Sequence, residues 1–174
     1  MITYPVDDID QPAVAEMPHT EKKPARKLCI IVSKGALDMA YPPMILANAA
    51  RMSGIEVDLF YTFWGLDCIT EKKIDHLHLA TVGNPSFPIP TIIGGLPGMS
   101  QVATNMMKRD IEKLDFPPPR EFMQTLIDSG AHVYGCQMSM DMMKLTKEDL
   151  IEGVEVIGAM TFMELSENAQ LLFV

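Results

Sequence analysis

The residue with the clearest chemical potential is Cys136. It follows Gly135 directly, after the apolar run of residues 131–134, and it precedes a segment whose pattern is typical of a helix. A thiol at the mouth of a helix lies beside free backbone N–H groups and the positive end of the helix dipole, and both favour the thiolate. The sequence therefore predicts a reactive cysteine. The alternative is a small apolar residue that only packs beneath the helix.

The other two cysteines have less suggestive surroundings. Three cysteines in all form no disulfide framework. Cys29 lies inside an apolar run of strand length, where burial raises the pKa of a thiol, so we expect it in the core. Cys68 follows an aromatic loop, and we expect a structural role for it. A second interpretation makes Cys68 a resolving thiol for Cys136, which requires their Cα atoms to lie within about 7 Å of each other.

Among the charged and potential metal-binding side chains, one is a candidate site residue. Lys34 is a cation that suits an anionic sulfur or a bound anion, although a solvated loop lysine is an equal alternative. Residues 33–35, SKG, match neither the Walker loop nor the GxGxxG fingerprint, so we expect no nucleotide cofactor. The four histidines show no zinc-type spacing with the cysteines, and we expect no metal.

The helix after Cys136 is rich in methionine, at positions 138, 140, 142 and 143. Thiolate and thioether ligands select Cu(I), so a copper site is one interpretation. Residues two apart point in very different directions on a helix, which counts against it. We expect these side chains to pack adaptably against the sheet or another subunit.

Composition limits the class of protein. The 174 residues suit one domain, and 48% of them are hydrophobic, which predicts apolar surface that closes against another subunit. A net charge of -9 argues against nucleic-acid binding and against docking on an anionic membrane. The cysteine usage favours the cytosol. Residues 1–24 carry no signal-peptide pattern, and we expect a flexible arm there.

The elements that position Cys136 begin with a β-α-β unit. Residues 27–33 and 55–61 read as buried parallel strands, and Pro42 and Pro43 suit the first turn of the helix between them, which ends at Gly54. Residues 79–107 contain no charged residue. Their prolines and glycines predict a buried or subunit-facing loop leading into a helix, not a membrane span.

The rest of the chain continues the alternation. We predict helices over residues 99–114, with Val102 and Met106 inward, and over residues 120–129. The strand before Cys136 is followed by a helix-start box at Thr146 and by strand, helix and strand over residues 153–158, 161–168 and 169–174.

This pattern predicts an α/β domain with a mostly parallel sheet of about five strands. Ligands and chemistry collect at the carboxyl ends of such strands, where Lys34, Trp64 and Cys136 fall together. By residue type we expect Trp64 in an aromatic core, with the lining of a pocket or an interface at this edge as the alternative.

Three stretches together resemble the DsrE/DsrF-like family. They are residues 30–35, IIVSKG; residues 63–66, FWGL; and Gly135-Cys136 with Ser139 and the methionine-rich helix behind them. The match is best with the longer DsrE-like subgroup and covers residues 27–174. Residues 25–174 are accordingly expected to form one DsrE-like domain.

The resemblance implies a flavodoxin-like three-layer fold, homo- or hetero-oligomers, and cytoplasmic sulfur trafficking. The family cysteine that takes up sulfane sulfur as a persulfide matches Cys136, which makes the chain a sulfur carrier or sulfurtransferase, with Lys34, Gly35, Trp64 and Gly135 as supporting residues. Proteins of the rhodanese and TusA types are the expected exchange partners. Some relatives use a second cysteine, to which neither Cys29 nor Cys68 can be matched. A competing hypothesis is a non-catalytic oligomeric module that binds a ligand or partner at the edge formed by Lys34 and Trp64.

Overall fold

The computed structural model describes residues 26–81, 94 and 96–174. In this part of the chain five strands form one sheet in the order β4-β3-β2-β1-β5, and every neighbouring pair is parallel. The predicted mostly parallel sheet of about five strands is confirmed. The strands are β1 (Lys27–Val32), β2 (Glu56–Tyr61), β3 (His132–Cys136), β4 (Val154–Ile157) and β5 (Gln170–Phe173).

Helices cover both faces of the sheet. Strands β1 to β4 step in one direction across the sheet, so right-handed crossovers place the helices between them on one face. The step from β4 back to β5 runs the other way and places the last helix on the opposite face. The helices are α1 (Leu37–Met52), α2 (Met99–Lys113), α3 (Pro119–Asp128), α4 (Gln137–Met143) and α5 (Ala159–Leu165), with short 3₁₀ segments at Phe63–Ile69, Ile74–His76 and Lys147–Asp149.

The two faces bury unequal cores. Side chains alternate along each strand, so Val57, Leu59 and Tyr61 of β2 join a large core beneath α1 and α3. Phe60 faces the other way, into a small core that is roofed by Phe162 of α5; the other members of this small core are Cys29, Tyr134 and Cys136. The Phe60 and Phe162 rings stack with centroids 4.3 Å apart. One short helix thus covers the centre of this face, and Phe173 of β5 remains exposed at its edge.

The start of α1 differs from the prediction. The helix begins at Leu37, so Pro42 and Pro43 lie inside it, and their placement in the first turn was wrong. Each proline removes one helical hydrogen bond. The buried stripe Leu37, Ala40, Met44 and Ala47 packs on the sheet and extends the helix in the N-terminal direction despite that loss. Gly54, with a φ of 71°, ends the helix as predicted.

Helix α2 exists as predicted but presents another face. Val102 and Met106 are 52% and 59% exposed, so their inward placement was wrong. The buried residues are Ala103 and Thr104, whose small side chains allow close approach to the chain before them. The Thr104 hydroxyl accepts from the N–H of Leu79 at 2.8 Å and donates to the Ser100 carbonyl at 2.7 Å.

The remaining predictions near these elements have mixed outcomes. The start box at Thr146 is present, with Asp149 accepting from the Thr146 N–H, although the segment it opens is a single 3₁₀ turn. The arm over residues 1–24 lies outside the described residues, as do residues 82–93 and 95 of the uncharged stretch 79–107. Among the helices that are described, none combines the length and apolar character that crossing a bilayer requires.

Candidate functional site

Cys136 is the last residue of β3 and the N-cap of α4. Its backbone is extended, with φ -71° and ψ 115°, which turns the chain from the strand into the helix. Its side chain enters the small core beneath Phe162 and is only 7% exposed. The thiol therefore lies at the carboxyl edge of the sheet, under a thin apolar cover.

Hydrogen-bond donors surround the Cys136 sulfur. Burial raises the pKa of this thiol, but the hydroxyl and N–H of Ser139, the hydroxyl of Thr62 and the N–H of Met138 outweigh that effect, so the pKa lies below its ordinary value. Met138 and Ser139 are the second and third helical residues, whose N–H groups have no partner within the helix. Donors without a partner in the first turn of a helix therefore favour the thiolate of Cys136.

Two members of this site, Thr62 and Ser139, are not among the predicted site residues, although Ser139 belongs to the stretch that carries the family resemblance. Thr62 follows β2, whose Tyr61 pairs in register with Gly135, and this brings it beside Cys136. Its Oγ1 lies 2.9 Å from the Ser139 Oγ. The sequence holds a signal for Ser139, because the third residue after an N-cap points its N–H at the cap side chain. Thr62 could be assigned to the site only once the order of the strands in the sheet was known.

The supporting glycines are confined by close neighbours. A Cβ on Gly35 would lie 2.3 Å from the Trp64 carbonyl oxygen, so the loops after β1 and β2 meet backbone to backbone. A Cβ on Gly135 would lie 3.2 Å from the Met140 Sδ and 3.3 Å from Leu150 Cδ1. Gly35 and Trp64 are therefore in close contact. At position 135 a residue without a side chain lets α4 pack closely on the sheet.

Lys34 and Trp64 both have exposed side chains at the carboxyl edge of the sheet. The Trp64 side chain is 65% exposed, so the aromatic-core interpretation is wrong. Lys34 is exposed as well, and its carbonyl oxygen accepts from the Cys68 thiol at 3.7 Å. The two side chains are surface groups at the carboxyl edge, and neither contributes to the lowered pKa of Cys136 among its largest causes.

The other two thiols are placed differently. Cys68 belongs to the large core, on the opposite side from Cys136, and burial raises its pKa to about 12. Cys29 is fully buried in the small core, as expected for a core residue. Burial and the Asp58 carboxylate raise the pKa of Cys29 to about 11. The structure does not gather the three thiols at one point.

The methionines after Cys136 diverge. Met140 is buried in the large core, and Met143 packs against that core. Met138 and Met142 are exposed. Met140 and Met143 bear out the packing interpretation, and this arrangement does not converge on the sulfur as a copper site would.

Among the described residues, one group has ligand atoms spaced for a metal ion: Glu56, Asp58 and His132, with their ligand atoms within 4.8 Å of one another. The Lys27 ammonium lies 3.0 Å from Glu56 and 2.8 Å from Asp58. A protein cation thus already bridges both carboxylates, so the donor set fits an ion pair better than a metal. The group lies at the amino ends of the strands, away from Cys136.

Comparison with known proteins places the chain in a family. Residues 24–173 match the DsrE/DsrF/DrsH-like family. The chain belongs to that family. It is 36% identical over 154 residues to the sulfur carrier protein DsrE2 of Allochromatium vinosum, covering 84% of this chain and 96% of that protein.

Two further matches are more distant. The uncharacterised protein YrkE of Bacillus subtilis is 22% identical over 151 residues, covering 84% of this chain and 94% of YrkE. A solved structure of a protein of unknown function from Methanobacterium thermoautotrophicum superposes with a TM-score of 0.50 at 8% identity, covering 86% of this chain and 99% of that one. This likeness supports the predicted three-layer fold.

Proposed function

We propose that this protein is a sulfur carrier in which Cys136 takes up sulfane sulfur as a persulfide and passes it to a partner thiol. The observation that supports this most directly is the contrast among the three thiols. Only Cys136 has hydrogen-bond donors that lower its pKa, whereas the pKa values of Cys29 and Cys68 are raised to about 11 and about 12. The similarity to a protein named sulfur carrier protein DsrE2 supports the same role.

The chemistry balances without an oxidant. The Cys136 thiolate attacks the terminal sulfur of a protonated donor persulfide, R–S–SH. The S–S bond of the donor breaks as the new S–S bond forms, which yields Cys136–S–SH and the donor thiolate. An acceptor thiolate then attacks the terminal sulfur of Cys136–S–SH, takes that sulfur and regenerates the Cys136 thiolate. The apolar cover from Phe60 and Phe162 limits access of water and oxidants to the intermediate.

The exchange partners belong to the same proposal. Donors and acceptors of the rhodanese and TusA types, a cytoplasmic setting and a homo-oligomeric assembly follow from the family resemblance. The exposed apolar side chains of Trp64 and Met138 at the carboxyl edge provide surface for such contacts.

Intact mass measurement tests the relay. The protein is incubated with polysulfide or with a persulfidated donor, desalted, and then mixed with an acceptor thiol. We expect a gain of about one sulfur atom that the acceptor removes. The gain persists in Cys29→Ser and Cys68→Ser and is lost in Cys136→Ser. A folded protein that gains no sulfur on Cys136 would show that the proposal is wrong.

A partner-binding module without sulfur transfer is the second candidate. The exposure of Lys34 and Trp64 at one edge favours it. In that case Cys136→Ser leaves partner binding intact and no sulfur is transferred, whereas Trp64→Ala weakens binding. Partner capture by the Cys136→Ser protein, measured beside its sulfur loading, separates the two functions.

A further inference from the structure

The hydroxyls of Thr62 and Ser139 form an isolated pair beside the reactive sulfur. Their oxygens are 2.9 Å apart, and Ser139 is buried while Thr62 is half-buried. Apart from the Cys136 sulfur, neither hydroxyl has a further hydrogen-bond partner within the described part of the chain. Both lie beside Cys136: Thr62 follows Tyr61, which pairs in register with Gly135, and Ser139 is the third residue of the helix that Cys136 caps.

The number of protons limits what this pair can do. Each hydroxyl carries one proton and can accept through two lone pairs. The bond between the two oxygens uses one of the two protons. One proton therefore remains, and it belongs to whichever hydroxyl accepts within the pair. The two hydroxyls cannot both donate to the sulfur while the bond between them is kept.

We propose that the Thr62–Ser139 pair delivers one shared hydrogen bond to the Cys136 sulfur, and that either hydroxyl alone can deliver it. In the intact pair, the hydroxyl facing the sulfur is strengthened by the one behind it, because hydrogen bonds in a chain polarise one another. When one hydroxyl is removed, the other is released from the pair and donates directly. The inference rests on the proposed function only in one respect: sulfur transfer is the reaction that the stabilised thiolate would serve.

The charged groups around the site do not account for the lowered pKa of Cys136. The charged residues on the elements that pack against Cys136 include Asp67 in the 3₁₀ segment after Thr62, Asp141 on α4 and Glu164 on α5. Asp67 is paired with Lys73 at 2.7 Å, and Asp141 accepts from Gln137 at 2.8 Å. None of them is among the largest causes of the Cys136 pKa shift, which are burial and hydrogen bonds.

The test is a double-mutant cycle read by the pH dependence of Cys136 alkylation. Thr62→Val, Ser139→Ala and the double variant are treated with iodoacetamide over a pH series, and the Cys136 peptide is quantified. We expect each single variant to lower the thiolate fraction by less than about threefold and the double variant to lower it by about tenfold or more, because only the double variant loses the charge-assisted bond. Ser33→Ala is the matched control, since its hydroxyl donates to the Val174 carbonyl at 3.0 Å, at the end of a neighbouring strand.

Two outcomes would overturn the proposal. One is a double variant whose effect equals the product of two large single effects, which requires two independent donors. The other is a single variant as severe as the double, which requires one donor only. If Thr62→Val fails to fold, Thr62→Ala removes the same hydroxyl and replaces it in the cycle. No sulfur donor is used, so a failure of the relay and a failure of this inference are distinguishable.

Discussion

Cys29 and Cys136 lie in the same small core, on the same face of the sheet, yet at opposite ends of their strands. Cys29 lies near the start of β1 and is fully buried, and its thiol donates to the Asp58 carboxylate across 4.0 Å. Cys136 ends β3 and is 7% exposed. Its neighbours are N–H and O–H donors. The pKa of the first thiol is raised and that of the second is lowered.

The difference shows that burial alone does not decide the pKa of these thiols, because hydrogen-bond donors outweigh it at Cys136. Inside a parallel sheet the backbone N–H groups are used by neighbouring strands, so a thiol there meets only side chains. Where the strand ends and a helix begins, N–H groups have no backbone partner and are available to an anion. The carboxyl edge of the sheet can therefore hold a thiolate that its interior disfavours.

Removing the shared cover should have the largest effect. Phe162→Ala deletes a buried ring that stacks on Phe60, and we expect a loss of about 3–5 kcal/mol in the free energy of unfolding. Alkylation of Cys136 at neutral pH should become faster because its cover is gone, while Cys29 stays slow because its pKa remains high. Urea denaturation and mapped alkylation measure both effects. Phe173→Ala, at an exposed ring, is the matched control and should change little.

A change at the Cys29 end should leave the Cys136 end untouched. Lys27→Met removes the cation that pairs with Asp58, whose side chain is 1% exposed, and leaves that carboxylate buried without its partner. We expect a loss of about 3 kcal/mol in the free energy of unfolding. Glu56→Gln alters the exposed partner of the same lysine and should cost less than about 1 kcal/mol. If Lys27→Met changed the alkylation rate of Cys136, the two ends would not be independent.

The smallest effect is on the pH dependence of stability. Folding favours the Cys136 thiolate, so the stability contributed by Cys136 is fully present above the unfolded pKa, near 8.5, and is lost as pH falls through the lowered folded pKa. Folding opposes ionisation of Cys29 and Cys68. Their contribution is fully present below the unfolded pKa and is lost as pH rises toward their folded pKa values of about 11 and about 12.

Urea denaturation of Cys136→Ala and Cys68→Ala across this range measures the effect. Relative to the unmodified protein, Cys136→Ala should lose stability as pH rises through the lower part of the range, and Cys68→Ala should gain stability at high pH. Parallel profiles for all three proteins would show that the thiols are not shifted in opposite directions.

Local patterns in the sequence predicted the elements that carry Cys136. An apolar run, a glycine and a helical segment are contiguous, so the strand end and the N-cap position can be read directly from residues 131–143. Gly54 and the box at Thr146 are local signals of the same kind, and both are present.

The missed features depend on packing between distant parts of the chain. Thr62 and Ser139 are 77 residues apart, and only the adjacency of β2 and β3 brings their hydroxyls together. The buried face of α2 is set by close approach to Leu79, which favours Thr104 over the more apolar Val102. The start of α1 depends on burial against the sheet, which outweighs the penalty of two internal prolines.

The central claim is that one thiol of the three carries sulfur. The most direct measurement is site-resolved persulfide occupancy in the unmodified protein after brief exposure to a persulfidated donor at neutral pH. The expected result is sulfur on the peptide containing Cys136, with the Cys29 and Cys68 peptides unmodified, followed by loss of that sulfur to an acceptor thiol. Persulfide on Cys29 or Cys68, with Cys136 still a free thiol in the folded protein, would contradict the account.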